Sequence, residues 1–185
     1  GTGYSGVGED YIVRHLFAIL ITVTCLLTGT AAAAQTVVGM VRAVYDGDTI
    51  LLATQRQSRL KIRLYGVDAP ETGKDGQPGQ RFAGVARRTL MYKLMGRQVS
   101  AEIRETDQYN RAVAVIRYQG RDINAEMIAE GMAWAYRRYL QAPYASEYLA
   151  AENTARNRRQ GLWRDPKPVP PWEFRLGGRK GRGRR

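Results

Sequence analysis

Five short β-prone segments limit the fold of this 185-residue chain more than any other feature of its sequence. They cover residues 37–45, 49–53, 60–64, 99–103 and 112–118. In the third segment apolar and charged residues alternate, which predicts a half-buried strand with Lys61 and Arg63 on the face opposite the core. The segments together predict a mainly β chain of short strands joined by turns.

One helical segment lies between the third and fourth strands, and further helical segments follow the fifth. Apolar residues recur at helical spacing from Phe82 to Leu94, and Gly96 stands where a helix commonly ends. Asp122 and Ser146 are the predicted N-caps of two later helices. This order predicts an α+β, mainly β fold, namely a closed five-stranded OB-type β-barrel with three packed helices. A generic α+β sandwich is the alternative that the pattern leaves open.

The first 34 residues have the pattern of a secretory signal peptide. Arg14 and His15 precede an apolar run of twelve residues, and small residues then continue to Ala34. A transmembrane anchor is the alternative, but twelve apolar residues fall short of the ~20 that a bilayer-spanning helix needs. We therefore expect cleavage after Ala34 and a mature protein that is secreted or periplasmic.

The mature chain, residues 35–185, contains neither Cys nor His, because Cys25 and His15 both lie in the predicted signal peptide. A disulfide, a zinc site with Cys or His ligands and a Ser-His-Asp triad are therefore excluded within one mature chain. Any catalysis must use carboxylates, Arg, Lys, Tyr or a hard metal ion bound through oxygen.

The chain is strongly basic, with 29 Lys and Arg against 17 Asp and Glu and a formal net charge of +12. Such a surface attracts polyanions, nucleic acids among them, or an anionic membrane. The Pro-rich residues 164–174 predict an extended segment, and the six basic residues and four glycines of residues 175–185 predict a disordered tail. We thus divide the chain into a signal peptide, a barrel domain over residues 35–163, and these two C-terminal segments.

Four acidic residues lie in two tight groups. Asp46 and Asp48 flank a glycine in a turn, and Asp68 and Glu71 follow the third strand. Ala69 precedes a proline, which restricts its backbone to an extended conformation and fixes the direction of its carbonyl group. These oxygens form a candidate site for Ca²⁺ or Mg²⁺. The ordinary interpretation of the same residues is a turn and a solvated strand end.

Two arginines are candidates for binding phosphate, because a guanidinium group can donate two parallel hydrogen bonds to phosphate oxygens. Arg63 lies five residues before Asp68, and Arg111 opens the last strand two residues after Tyr109. Taken singly, each arginine is more simply explained by a surface ion pair, and the tyrosine by a turn aromatic.

Three short sequence blocks carry a resemblance to a known family, in the order found in that family and with compatible spacing. They are residues 44–49 (VYDGDT), residues 62–71 (IRLYGVDAPE) and residues 106–111 (TDQYNR). In these blocks the chain resembles the staphylococcal (micrococcal) nuclease, or thermonuclease-like, family. Residues 131–134 and 161–163 also resemble the helical end of that family, so the resemblance covers nearly all of the predicted barrel domain.

The resemblance implies an OB-type barrel that hydrolyses DNA and RNA with Ca²⁺ and leaves 3′-phosphate ends. By position it implies Ca²⁺ ligation through the carboxylates of Asp48 and Asp68 and the carbonyl of Ala69, with Asp46 supporting this site. It further implies that Glu71 is the general base or orients the attacking water, and that Arg63 and Arg111 clamp the scissile phosphate. Tyr109, and either Tyr136 or Tyr139, would contact the nucleotide.

We therefore predict an exported, monomeric nuclease that acts on DNA and RNA and does not insert stably into a membrane once its signal peptide is removed. One alternative is a non-catalytic OB-type module that binds nucleic acid through its basic face and aromatic stacking. Another is a protein held at an anionic surface by its basic tail. The intact set of metal carboxylates, Glu71 and the arginine pair favours the enzyme.

Overall fold

The computed structural model describes residues 35–182, except residues 57, 74, 75 and 77. The predicted signal peptide lies outside the described residues. The strands are β1 (Gln35–Val44), β2 (Thr49–Thr54), β3 (Arg59–Leu64), β4 (Val67–Asp68), β5 (Gln98–Thr106), β6 (Ala112–Tyr118), β7 (Arg121–Asp122) and β8 (Trp134–Ala135). The helices are α1 (Ala83–Leu94), α2 (Ile123–Ala129), α3 (Tyr144–Asn157) and α4 (Pro171–Arg182), with a 3₁₀ turn at Gly161–Arg164.

Five strands form a closed barrel. Strands β3, β2, β1, β5 and β6 are hydrogen-bonded in that order, and β7 continues the sheet beside β6. These neighbours run antiparallel, whereas β3 and β6 pair in parallel with Ile62 opposite Ala112. The parallel pairing joins the two ends of the five-strand order, so the sheet closes on itself. The predicted α+β fold with a closed five-stranded barrel is confirmed.

Apolar side chains from the strands and from α1 share one core. Its fully buried members include Ile50, Leu52, Ile62, Leu64 and Ile116 of the barrel, and Leu90 and Leu94 of α1. Burial of each such side chain contributes about 1.5–3 kcal/mol to stability. Because Leu90 and Leu94 lie one helical turn apart, they fix α1 against the barrel next to the turn between β1 and β2.

The ends of the helices agree only in part with the sequence signals. Gly96 follows α1 with a φ of 69°, the left-handed conformation that glycine adopts readily, as predicted. Asp122 caps α2 by accepting a 2.9 Å hydrogen bond from the amide of Ala125. The prediction that Ser146 caps α3 is wrong, because this helix begins at Tyr144. The buried ring of Tyr144 fixes the start of the helix by packing.

The side chain of Asn124 joins α2 to the barrel near the link between β3 and β4. Its side chain accepts a hydrogen bond from the amide of Ile116 and donates to the carbonyls of Tyr65 and Ala114, each at 3.0 Å. The side chain is fully buried, and these three bonds satisfy it. They hold the chain that leads from β3 into β4 in one position.

The C-terminal segment differs from the prediction. Residues 171–182 form α4, where the sequence predicted an extended segment to residue 174 and a disordered tail from residue 175. Pro171 suits the first helical position because it has no amide hydrogen to lose. Trp172 then packs against the ring of Trp134, with 5.5 Å between ring centroids. This long-range packing overrides the local preference of a Pro-, Gly- and Arg-rich sequence, and it adds a fourth helix to the predicted three.

No helix within the described part of the chain is both long and apolar enough to cross a membrane.

Candidate active site

The Asp-Gly-Asp turn between β1 and β2 is packed tightly against two other elements. The amide of Asp48 donates a 3.0 Å hydrogen bond to the carboxylate of Asp46, which closes the turn. A Cβ atom on Gly47 would lie 2.7 Å from the Cβ of Ala69 and 2.8 Å from the Cβ of Ala86. Only glycine permits this approach, so the turn is held at a fixed distance from both the Ala69 segment and α1.

Asp48 and Asp68 are carried on neighbouring segments and are both buried. One oxygen of Asp48, Oδ2, accepts a 3.0 Å hydrogen bond from the amide of Ala69, and the other accepts from the hydroxyl of Thr49 at 2.9 Å. Asp68 is held in β4, opposite Trp134 of β8, and its side chain has no exposed surface. A buried carboxylate is costly unless it is paired, so Asp68 needs a cationic partner.

Arg63 supplies one such partner and bridges the two aspartates. Its Nη2 atom donates to Oδ1 of Asp68 at 2.7 Å, and its Nη1 atom donates to Oδ1 of Asp48 at 3.4 Å. Only 17% of the Arg63 side chain is exposed. Water screens such a pair weakly, and removal of one partner from a buried pair typically costs about 3–5 kcal/mol. The arginine predicted to bind phosphate thus also joins two predicted metal ligands.

The two aspartates of the turn differ in their pKa. Burial and the charge of Asp48 raise the pKa of Asp46 to about 7. Burial alone would also raise the pKa of Asp48, but the charge of Arg63 and the hydrogen bond from the Ala69 amide hold that pKa below its ordinary value. Asp48 is therefore the negatively charged member of the pair, and Asp46 is the member that takes up a proton near neutral pH.

Glu71 begins a loop that Gln80 closes. The amide of Glu71 donates to Oε1 of Gln80 at 2.9 Å, and the amide of Gln80 donates to the carbonyl of Glu71 at 2.8 Å. The Gln80 side chain also donates to the carbonyl of Val169 at 2.9 Å, which ties this loop to the segment before α4. The Glu71 side chain is 36% exposed, so it can reach solvent.

A second guanidinium group enters the site from α4. Arg175 donates from Nη1 to Oδ1 of Asp68 at 3.0 Å and from Nη2 to Oδ2 at 2.9 Å, and its Nη1 atom also contacts Oε1 of Glu71. The bidentate pairing with a carboxylate is among the stronger side-chain contacts. Sequence reasoning missed Arg175, and nothing local distinguishes it from the other arginines of the predicted tail.

Tyr136 directly follows β8, the strand in which Trp134 pairs with Asp68. Its amide donates to the carbonyl of Gly66 at 2.8 Å, two residues before Asp68. The ring of Trp172 stacks on the ring of Tyr136, with 5.7 Å between centroids and 16° between planes. Tyr139, the alternative nucleotide contact, packs edge-on against Tyr136 and is 47% exposed. Trp172 is a further residue of this site that the sequence did not predict.

Tyr109 and Arg111 form a second group at the start of β6. Asp107 accepts hydrogen bonds from the amides of both residues, at 2.9 and 3.0 Å, and from Nε of Arg111 at 2.8 Å. The guanidinium carbon of Arg111 lies 5.4 Å from the ring centre of Tyr109, which is 64% exposed. Val113 pairs with Arg63 across the barrel seam, so this group flanks β3, but its described contacts do not reach the carboxylates.

The importance of Asp107 was missed, although an aspartate at the start of a turn is a recognisable signal for local amide binding. Its carboxylate fixes both the turn and the Arg111 guanidinium. Arg111 is therefore held in one orientation before any phosphate reaches it.

The oxygen donors of the carboxylate cluster fit a hard cation in kind. Asp48 and Asp68 supply carboxylates and Ala69 a carbonyl, which are ligand types that Ca²⁺ and Mg²⁺ prefer. Within the described ranges, no group of three or more His, Cys, Asp and Glu residues could by itself hold a metal ion. A cation held here would need water or substrate oxygens as its other ligands, and it would compete with Arg175 for Asp68.

Residues 61–165 match the family model of staphylococcal nuclease homologues. A micrococcal nuclease of Shigella flexneri is 38% identical over 146 residues, which cover 74% of this chain and 79% of that protein. An uncharacterized endonuclease of Haemophilus influenzae is 36% identical over 132 residues, covering 71% of this chain and 69% of that protein. The probable endonuclease lcl3 of Aspergillus fumigatus is 38% identical over 124 residues, covering 60% and 42% respectively. The chain therefore belongs to the staphylococcal nuclease family.

Proposed function

We propose that this chain is a nuclease that hydrolyses phosphodiester bonds of DNA and RNA in the presence of Ca²⁺ and leaves 3′-phosphate ends. The observation that carries the proposal is the cluster in which Arg63 joins the carboxylates of Asp48 and Asp68, with Glu71 at its solvent edge. Membership of the staphylococcal nuclease family supports it, and so do relatives named micrococcal nuclease and endonuclease.

Charge stabilisation is the main task in such a reaction, because negative charge grows on the phosphoryl oxygens as water attacks in line. Arg63 and Arg111 carry permanent positive charge and can each bind phosphate oxygens through two nitrogens. Both are already oriented by carboxylates, so little reorganisation is needed when the phosphate arrives. A Ca²⁺ ion held by Asp48, Asp68 and the Ala69 carbonyl would add positive charge at the same phosphate.

The remaining roles follow from the exposure of the side chains. Glu71 reaches solvent from an ordered backbone, so it can hydrogen-bond a water and accept its proton. Asp46 supports Asp48 from within the turn. Tyr109 and Tyr136 offer aromatic faces on which bases can stack.

Incubation of residues 35–185 with plasmid DNA and with RNA tests this proposal, using Ca²⁺ in one arm and a chelator in the other. We expect cleavage with Ca²⁺ and little in chelator, and we expect ends that a polymerase extends only after phosphatase treatment. Glu71→Gln should lower kcat by about 10²–10⁴-fold while nucleic acid still binds. Glu147→Gln is the matched control, since it changes an exposed glutamate on α3.

Equal cleavage in chelator would contradict the metal role of Asp48 and Asp68. Binding without cleavage under all conditions would instead favour the non-catalytic nucleic-acid-binding module.

We also infer that the protein is exported and acts as a monomer. The basic residue, the apolar run and the small residues before Gln35 support the export. N-terminal sequencing of the protein recovered outside the cytoplasm should begin at Gln35, and its sedimentation should correspond to one chain.

A further inference from the structure

Helix α4 contacts two residues of the proposed active site, Asp68 and Glu71. Arg175 binds both oxygens of Asp68 and also Glu71, which are a proposed metal ligand and the proposed base. Oδ1 of Asp68 accepts hydrogen bonds from both Arg63 and Arg175, and Oδ2 accepts from Arg175. A cation that approached Asp68 would therefore meet occupied lone pairs and the positive charge of Arg175, so docked α4 and a cation compete for this carboxylate.

The same helix also covers an aromatic face. Trp172 stands three residues before Arg175, so the two side chains project from one side of α4. Its ring stacks on Tyr136, the residue proposed to contact the nucleotide, and packs against Trp134. Two independent contacts thus place α4 where both the cation and the nucleotide would bind.

The attachment of α4 suits reversible docking. Residues 165–170, which lead into the helix, contain neither helix nor strand. Gly177 lies inside the helix, where glycine is a poor helix former. Besides Arg175, the segment is anchored by Trp172, which packs against a small apolar cluster that includes Trp134, and by the bond from Gln80 to Val169. None of the described residues of α4 belongs to the barrel core, so the helix can leave without opening that core.

We propose that α4 is an autoinhibitory helix, in which Arg175 binds the cation ligand Asp68 and the base Glu71 while Trp172 covers Tyr136. A divalent cation and a nucleic acid displace this helix. Their apparent affinities equal the intrinsic affinities multiplied by the fraction of chains in which α4 is undocked. The proposal rests on the proposed function, because it takes Asp68, Glu71 and Tyr136 as active-site residues. Its test measures cation binding and release of the helix rather than catalytic turnover.

Calorimetric titration of Ca²⁺ into residues 35–185, without nucleic acid, measures the competition directly. We expect Arg175→Gln to bind Ca²⁺ about ten- to a hundredfold more tightly than the wild type. Trp172→Ala should also bind more tightly, although it removes no charge, because it weakens docking of the whole helix. Arg88→Gln, which removes an exposed arginine from α1, and Leu176→Ala are the matched controls and should leave the affinity unchanged.

Thermal unfolding separates competition from a merely structural ion pair. In chelator, Arg175→Gln should lower Tm, because Asp68 loses a partner, and saturating Ca²⁺ should restore Tm to the wild-type value. A structural ion pair would instead lower Tm equally in both conditions. Release of the helix can be followed with a spin label on Leu176→Cys, since residues 35–185 contain no other Cys. The label should become more mobile when Ca²⁺ is added.

The outcomes are distinct. Tighter Ca²⁺ binding by Arg175→Gln and Trp172→Ala, with label release, supports the autoinhibitory helix even if no cleavage is found, and then the proposed function alone fails. Cleavage by the wild type with unchanged Ca²⁺ affinity in both variants and an immobile label would overturn the inference and leave the nuclease proposal standing. Absence of Ca²⁺ binding in every variant counts against both.

Discussion

Substitution of Gly47 by alanine tests whether the site depends on the close packing of the Asp-Gly-Asp turn. The added Cβ would stand 2.7 Å from the Cβ of Ala69 and 2.8 Å from the Cβ of Ala86. Carbon atoms that are not bonded to each other pack favourably at about 3.5–4.0 Å. The turn, the Ala69 segment or α1 must therefore move by roughly 1 Å to accept one methyl group.

Two consequences of different size follow from this shift. Overpacking of this kind typically costs about 1–3 kcal/mol of stability. The displacement also separates the Asp48 carboxylate from the amide of Ala69, which now donates to it at 3.0 Å, and moves the Ala69 carbonyl. A misplacement of about 1 Å in a preorganised site can cost about 10²-fold in rate. Activity should thus fall further than the loss of stability alone explains.

Urea unfolding followed by circular dichroism, together with plasmid cleavage in Ca²⁺, measures both effects. Gly84→Ala is the matched control, because that glycine is exposed at the start of α1 and its added Cβ would meet only the flexible end of Arg88 at 3.3 Å. The control should be neutral or stabilising by about 0.5 kcal/mol. Ala86→Gly should partly restore the Gly47→Ala variant by removing one of the two clashes. A Gly47→Ala protein with wild-type stability and rate would refute the packing argument.

Three further predictions concern Arg63, Asp107 and Tyr136. Arg63→Lys should lower kcat by about ten- to a hundredfold in the plasmid assay, because a single ammonium group cannot bridge two carboxylates and still bind phosphate through a fork; an unchanged kcat would contradict the bridging role. Burial would raise the pKa of Asp107, but hydrogen bonds from the Arg111 amide and guanidinium outweigh it and hold that pKa below its ordinary value. The ionised Asp107 carboxylate therefore stabilises the folded state fully above a pH of about 4, and this stabilisation is lost as the pH falls through the lowered pKa. The free energy of unfolding should be lower in Asp107→Asn than in the wild type, and this difference should be largest at neutral pH and shrink in acid. Unfolding measured from pH 7 to pH 3 checks this. In a Trp172→Ala background, which removes the stack of Trp172 on Tyr136, Tyr136→Leu should weaken single-stranded DNA binding by about 1–3 kcal/mol in an anisotropy titration. Tyr139→Leu should have a smaller effect in the same background, and the reverse order would assign the nucleotide contact to Tyr139.

The parts of the fold that depend on local sequence were predictable. Strand β6 was expected over residues 112–118 and has those bounds, because its apolar residues and the turn before it are local signals. The same holds for the turn before Asp48 and for the Asp122 cap. The α3 start at Tyr144 was not predictable from the serine two residues later, since long-range packing of a tyrosine ring decided it.

The site was predictable only where a sequence block contains it. Asp68, Ala69 and Glu71 are contiguous, and a family resemblance fixes their order. The contact of Arg175 with Asp68 spans 107 residues and comes from a segment whose composition favours disorder. Neither periodicity nor composition reports which basic residue of such a segment meets a buried carboxylate.

Charge balance favours the exchange of Arg175 for a divalent cation over departure of α4 alone. The three carboxylates Asp48, Asp68 and Glu71 share the guanidinium groups of Arg63 and Arg175, so the docked cluster has a formal charge of −1. Departure of α4 alone leaves −2 around a fully buried aspartate, which is costly. Exchange of Arg175 for a divalent cation brings the formal charge to zero. Removal of Ca²⁺ should consequently return α4 to the carboxylates and leave the barrel folded. We expect the far-ultraviolet circular dichroism of residues 35–185 to survive chelation while a spin label on α4 becomes immobile again, and unfolding of the barrel in chelator would show that the arginine does not replace the metal.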